Sequence, residues 1–411
     1  MIATLMAPTG DSGVQSHFNA ISRCASREGI DASIISPYRS SNLAMRRLGN
    51  LVTRVLSRIN REWAALWYRR LDRELLRRQL VKELRALDAE DEVVIYAQDP
   101  GSAKAAMQAV AAKPNTRVVM VVHYNVSEAY EQALVGNTTE GGALYRSLLR
   151  LEQEALPRVD VLIFPSRFMR DHVRARVPAV QAMESYVIAN FSEPVSESFD
   201  ETVEADGDII SIGTLEQRKN QGFLIRVLAE ANRVGHRYTL GLVGRGPSMQ
   251  EFKDMARSLG VDGQVRFLGR VDGAAKLISR YKVYAHAALM ENLPITLLEA
   301  LSTGRPILAA PVGGIPEIFA NGEEGLYWDL SDPSGAALLL ISLLEDKDRY
   351  AKLAQAGVRR YESTFSPAVL VPVWLKAILA VDHTGSSKSE PLVHDHEVIG
   401  DYKSTNSLRP I

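Results

Sequence analysis

The chain has 411 residues, more than one ordinary hydrophobic core can organise, so two domains are expected. Its 46% apolar and 24% charged residues suit a globular protein, and a formal net charge of −1 excludes a general attraction to nucleic acid. One cysteine, Cys24, excludes an intrachain disulfide, and the lack of an apolar run of ~18–20 residues or of a signal pattern points to a cytosolic protein.

Residues 2–7 form an apolar run that ends in Pro8-Thr9-Gly10-Asp11-Ser12-Gly13, and a helical pattern then continues to about Glu28. This strand, loop and helix open an α/β layer fold. The loop lacks a full GxGxxG and is by itself a weak signal. Between residues 39 and 85 lies an insertion with thirteen basic residues against four acidic ones, a balance of +9, and it carries Trp63, Trp67 and Tyr68. Two readings stay open for it. One is contact with an anionic membrane surface; the other is ordinary solvated helices whose aromatics pack inward. No nucleic-acid-reading module accompanies the charge.

Further β-rich runs occur at 32–35, 92–96, 117–122, 161–164 and 186–188, each flanked by helical or turn-like sequence, which predicts a parallel sheet. The acidic stretch SEPVSESFDETVEADGD then breaks the pattern, and residues 196–208 are expected to link two domains. A second alternation follows, with strands predicted at 209–212, 238–243, 264–267, 283–286, 307–309 and 325–327. Two Rossmann-like, doubly wound α/β domains result, 1–195 and 209–364. Ligands of such sheets bind beyond the carboxyl ends of the strands, so the active site is expected in a cleft between the domains. An amphipathic helix over 365–381, with Trp374, Leu375, Ile378 and Leu379, is expected to cross back to the first domain. The remainder, 382–411, reads as a mobile tail whose His383, His394 and His396 make a weak metal candidate.

The window MENLPITLLEALSTGRPILAAPVGG, 290–314, carries the densest chemical signal. Pro294 suits the first position of a helix, where its missing N–H costs nothing. Leu297, Leu298 and Leu301 supply a buried face, and Gly304 supplies a stop. That leaves Glu291 in the preceding loop and Glu299 on the second turn. Between them the free N–H groups of Ile295 and Thr296 would face outward, an arrangement that attracts phosphate. Two carboxylates flanking a phosphate-binding helix start suit a nucleotide-sugar.

Four segments, IGTLEQRKNQGFLI, LVGRGP, VRFLGRV and ENLPITLLEALSTGRPILAAPVGGIPEI, follow one another over most of 209–328, and PTGDSGVQSH, VVHYN and DVLIFPSRFMRDH precede them. In order and spacing they resemble the retaining glycosyltransferases of the GT-B fold, family four. The resemblance implies that Glu291 contacts donor-sugar hydroxyls, that Glu299 accepts bonds from the nucleotide ribose, and that Lys219 neutralises the diphosphate. The family usually has Arg after the glycine where this chain has Thr214, so Arg218 is expected to do that work. Gly13 is expected to approach the donor phosphate, with Gly313 and Gly314 forming a similar loop opposite. His123 is implied against the donor sugar, and Arg270 falls where backbone atoms contact the base. Ser166 and Arg167 line the cleft in this view, although a helix N-cap explains Ser166 equally well.

No Asp-x-Asp pair stands in a strand-end loop, so transfer without metal or cofactor is expected. The family's activity then implies transfer from a nucleotide-sugar to a glycan or lipid-linked saccharide in bacterial surface polysaccharide synthesis, in the cytoplasm or on the inner face of the membrane. Two rivals remain: a GT-B epimerase or sugar-phosphate synthase, and a non-catalytic subunit that binds sugar-nucleotides.

Overall fold

The computed structural model describes residues 1–8, 10, 13–38, 42–195 and 205–379. Twelve short parallel strands alternate with helices: β1 Ile2–Ala3, β2 Ile34–Ile35, β3 Val93–Ala97, β4 Thr116–Val121, β5 Val161–Phe164, β6 Ser185–Val187, β7 Gly207–Ile212, β8 Leu240–Val243, β9 Val265–Gly269, β10 Tyr281–His286, β11 Ile307–Ala309 and β12 Gly325–Tyr327. Each overlaps a strand expected from sequence. They form two six-stranded sheets, ordered β2-β1-β3-β4-β5-β6 and β12-β11-β10-β7-β8-β9.

Both orders reverse once, the first between β1 and β3 and the second between β7 and β10. At such a switch point the connections leave in opposite directions and open a crevice beyond the strand ends. The two crevices place the loops after β1, β3, β7 and β10 around one cleft. A shared apolar core lies behind it, holding Val121 and Ile163 of the first sheet together with Tyr284, Leu297 and Ile315 of the second domain. Separate clusters fill the outer face of each sheet.

Several boundaries differ from expectation. β1 stops at Ala3 because Thr4 turns the chain, its hydroxyl accepting the Met6 N–H at 3.1 Å. β7 begins at Gly207, inside the expected linker, because Gly207 already stands in register with Tyr281 of β10. Residues 196–204 of that linker lie outside the described residues, as does the tail with its three histidines. Pro294 is the cap and not the first helical residue: its ψ of 121° is extended, and the helix runs Ile295–Ser302.

The last described helix, Pro367–Leu379, returns to the first domain. Its Trp374 is fully buried, donates from Nε1 to the Ala189 carbonyl at 2.9 Å and packs edge-on against His17. The basic insertion forms two helices, Leu43–Ile59 and Arg61–Arg85, hinged at Asn60, whose side chain accepts the Trp63 N–H. Gly49 lets them meet closely, since a Cβ there would overlap Leu71. The second helix joins the apolar cluster on the first sheet through Leu76, Leu80 and Leu84, whereas the first buries only Gly49.

Candidate active site

A cleft of about 1100 Å³ separates the carboxyl ends of the two sheets and is lined from both domains. On the second-domain side, β7 ends at Ile212 and the chain passes through Gly213 into the short turn Gln217–Lys219. Asn220 closes that turn in the left-handed conformation, φ 52°, which asparagine tolerates better than most residues. The turn presents Arg218 and Lys219 to the cleft. β10 ends at His286, and the following loop carries Glu291 to the same place.

There the Lys219 ammonium contacts the Glu291 carboxylate directly. Arg218 Nη1 stands 3.6 Å from it, and His286 Nε2 shares a hydrogen bond of 3.2 Å with Glu291 Oε1. Burial opposes ionisation of Glu291, whose side chain is 6% exposed, but Lys219, His286 and Arg218 outweigh it. Its carboxyl is held well below the usual carboxylate range. Arg218 is further fixed by Glu216 at 2.9 Å and by the Met290 carbonyl at 3.2 Å. Two cations and a constitutively ionised carboxylate thus converge where two strand ends meet.

Glu299 shows the opposite electrostatics. It lines the cleft from the second turn of the Ile295–Ser302 helix, and its carboxylate has no hydrogen bond or ion pair among the described residues. Burial alone pushes it up to about 7. Ile295 and Thr296, at the helix start, line the cleft between the two carboxylates. Across from them stands Gly13, the first residue of the Gly13–Arg27 helix: a Cβ there would lie 3.7 Å from Ile295 Cδ1.

His123 follows β4 and faces the cleft, its Nε2 at 3.1 Å from Gln98 Oε1. Burial lowers its pKa to about 3, so the ring is neutral at physiological pH. It packs edge-on against His17, and His17 in turn against Trp374 of the returning helix. Arg270 stands at the rim with its side chain 58% exposed, 3.7 Å from Asp272.

Two expectations need correction, the Gly313-Gly314 loop and Arg167, while Ser166 follows its N-cap reading. Gly313 and Gly314 do not line the cleft. They lie behind it, against the backbone of Glu291 and Asn292, where a Cβ on either would overlap a carbonyl oxygen. Ser166 and Arg167 also lie outside the cleft lining. Ser166 is buried, caps the Arg167–Arg176 helix and donates to Asn292 Oδ1 at 2.7 Å. The Arg167 N–H donates to Glu317 at 2.9 Å, so both residues join the domains.

Two residues were overlooked. His286 was legible only as a histidine ending a strand. Asn292 looked like a spacer beside Glu291, yet its amide donates to the carbonyls of Val122 and Tyr124 at 3.0 and 3.1 Å. Its backbone N–H donates to Asn125 Oδ1 at 2.9 Å. Asn292 therefore holds the Glu291 loop against the first sheet. Among the described residues no group of three or more His, Cys, Asp or Glu is arranged to hold a metal.

The fold resembles that of Anabaena HepE, solved in complex with UDP and glucose, with a TM-score of 0.66 and 17% identity over 92% of this chain and 99% of that one. It is the GT-B fold, two Rossmann-like domains facing across a cleft. Among curated proteins, the N-acetyl-alpha-D-glucosaminyl L-malate synthase of Bacillus anthracis is 32% identical over 124 residues, 30% of this chain and 32% of its own length. The GDP-mannose-dependent alpha-(1-6)-phosphatidylinositol monomannoside mannosyltransferase of Mycolicibacterium smegmatis is 28% identical over 242 residues, 54% of this chain and 63% of its own. Both matches span less than two thirds of the relative. Residues 12–192 match the model of Glycosyltransferase Family 4, and residues 196–360 match that of Glycosyl transferases group 1. With both halves matched in their proper order, the chain belongs to the group 1 glycosyltransferases of family four.

Proposed function

We propose that this protein is a retaining glycosyltransferase that moves a sugar from a nucleotide-diphosphate sugar to a glycan or lipid-linked acceptor, without a metal. The observation that carries the reading is the meeting of Lys219, Arg218 and Glu291 beside the start of the Ile295–Ser302 helix. In this reading the diphosphate lies against the helix start, Lys219 and Arg218. As the bond from the sugar C1 to the diphosphate oxygen breaks, the electron pair leaves with the phosphate. Fixed cations stabilise that growing charge with little reorganisation. They fill the role a metal would otherwise take.

Glu291 holds donor-sugar hydroxyls, Glu299 the ribose hydroxyls, and neutral His123 faces the sugar from the first domain. The acceptor oxygen attacks C1 from the face the phosphate leaves, and its proton passes to the departing phosphate oxygen. Neither glutamate is assigned as nucleophile or base.

The acceptor side favours a membrane. On the Leu43–Ile59 helix, Leu48, Leu51, Val55 and Ile59 are 63, 57, 52 and 69% exposed, and Trp63 beyond the hinge is 55% exposed. Trp63 and Trp67, the latter 40% exposed, do not pack inward, whereas Tyr68 is partly buried and accepts from Arg46 at 2.8 Å. An apolar stripe beside basic side chains suits an interfacial helix, and no helix among the described residues is long and apolar enough to cross a membrane. In this reading the apolar stripe holds the enzyme peripherally on the inner face of the membrane, where it acts in bacterial surface glycan assembly.

Thermal shift with UDP-, GDP- and ADP-sugars tests the donor: one base should raise the midpoint by mass action, and Lys219→Ala should remove the effect. If no nucleotide-sugar raises it, the reading is wrong. Product analysis with and without acceptor separates transfer from epimerisation, and binding without turnover would mark a non-catalytic subunit.

A further inference from the structure

A second, smaller pocket of about 170 Å³ lies in the first domain and is more basic than the cleft. Arg69, Arg70 and Arg73 of the Arg61–Arg85 helix line it, with Lys104 of the Pro100–Ala109 helix and Arg150 of the Ala143–Ala155 helix. Two of these five cations are matched: Arg69 pairs with Glu128, and Lys104 with Glu154 at 2.8 Å. Arg70, Arg73 and Arg150 have no ion pair or hydrogen bond to a carboxylate among the described residues. The pocket therefore holds five cations against two carboxylates, and three of its guanidinium groups, from two helices, touch neither carboxylate, with Glu154 attracting Arg73 and Arg150 only from a distance.

Such crowding is costly when empty. Arg73 is half-buried, and burial together with its neighbour Arg70 lowers its pKa against the smaller opposing pull of Glu154. An anion bound between them would relieve that repulsion. Guanidinium forks match the oxygens of a phosphate group in pairs, and the Ser147 hydroxyl in the same wall adds a donor.

Its placement gives the pocket a purpose. Leu5, Arg69 and Glu128 line both this pocket and the large cleft, so the two adjoin. On the other side, Arg70 follows exposed Trp63 and Trp67 by seven and three residues, on one side of the helix. Trp63 thus lies only ~10 Å along the helix axis from Arg70. Apolar stripe, basic pocket and cleft follow in sequence along the first domain.

We propose that this pocket binds a phosphate or diphosphate group of the acceptor and so brings the acceptor hydroxyl to the cleft. The inference rests on the glycosyltransferase reading and names the chemistry of its second substrate.

The test uses the full chain carrying Lys219→Ala, which weakens the diphosphate site of the cleft, and titrates inorganic pyrophosphate by calorimetry. Pyrophosphate should still bind, and adding Arg70→Gln with Arg150→Gln, both exposed positions, should weaken it at least about tenfold. Binding that is absent from the start, or unchanged by the two substitutions, overturns the proposal. Competition then identifies the source of the phosphate. Displacement by phosphatidylglycerol vesicles but not phosphatidylcholine vesicles supports a lipid headgroup, and displacement only by soluble phosphate esters supports a free acceptor. Nucleotide-sugar binding to the unaltered chain is read separately. Its failure, with the Arg70 and Arg150 effect intact, would remove the glycosyl-transfer reading and leave an anion pocket.

Discussion

Glu299→Gln should make the ligand-free protein more stable at alkaline pH while weakening its grip on the donor. In the folded chain the Glu299 carboxyl is raised from 4.5 to about 7 by desolvation. Below pH 4.5 both folded and unfolded states hold the proton, and the group has no effect. Between 4.5 and about 7 the unfolded chain ionises first, so stability falls as pH rises; above about 7 the loss is complete. At 1.36 kcal/mol per unit the displacement is worth at most about 3 kcal/mol, reduced by whatever water in the cleft screens the half-buried carboxylate. Glutamine has no such titration. Urea unfolding at pH 5 and pH 8, following the second-domain transition, should show the variant gaining on the parent by about 1–3 kcal/mol as pH rises. Donor affinity at pH 8 should fall about tenfold or more, because an amide replaces an acceptor of paired hydroxyls. An identical pH dependence in both proteins would refute the assignment of Glu299 as a desolvated carboxylate waiting for hydroxyl donors.

Lys219→Ala should lower single-turnover transfer by about 10²–10³-fold, the usual effect of losing one group that stabilises developing charge. Asn292→Ala leaves the buried carbonyls of Val122 and Tyr124 without their donor. It should cost about 2–4 kcal/mol in denaturant unfolding and speed hydrogen exchange in the loop after β4. Gly313→Ala combines a φ of 60° with overlap on the Glu291 carbonyl, so donor binding should fall through displacement of Glu291 with the cleft residues unchanged. Titration calorimetry against the best nucleotide-sugar reads that loss. Leu51→Asp with Ile59→Asp, both exposed, should leave unfolding within about 0.5 kcal/mol of the parent while abolishing sedimentation with anionic vesicles.

Much of the architecture is written locally in the chain. Strands buried on both faces appear as short β-branched runs, and the punctuation between them is equally local, so all twelve strands could be located before any fold was known. Pairing of Glu291 with Glu299 was legible for the same reason. They share one loop and helix, and the helix start at Ile295 leaves Glu291 in the loop before it and Glu299 on its second turn. Aromatic exposure in the insertion was not legible: periodicity finds an apolar stripe but not whether anything covers it.

What composition and periodicity determined by themselves were the two α/β domains, the elements within them and the chemistry available at strand ends. Tertiary structure alone decided the strand orders, and with them which strand ends become neighbours. Lys219 meets Glu291 across 72 positions of sequence, and Asn292 reaches the Val122 carbonyl across 170. It also turned Gly313 from a ligand loop into the space that Glu291 backbone occupies. The division has a physical cause. Backbone dihedrals and side-chain period act over a few residues, whereas ion pairing, desolvation and steric overlap act between whichever groups the packed sheets bring within a few ångströms.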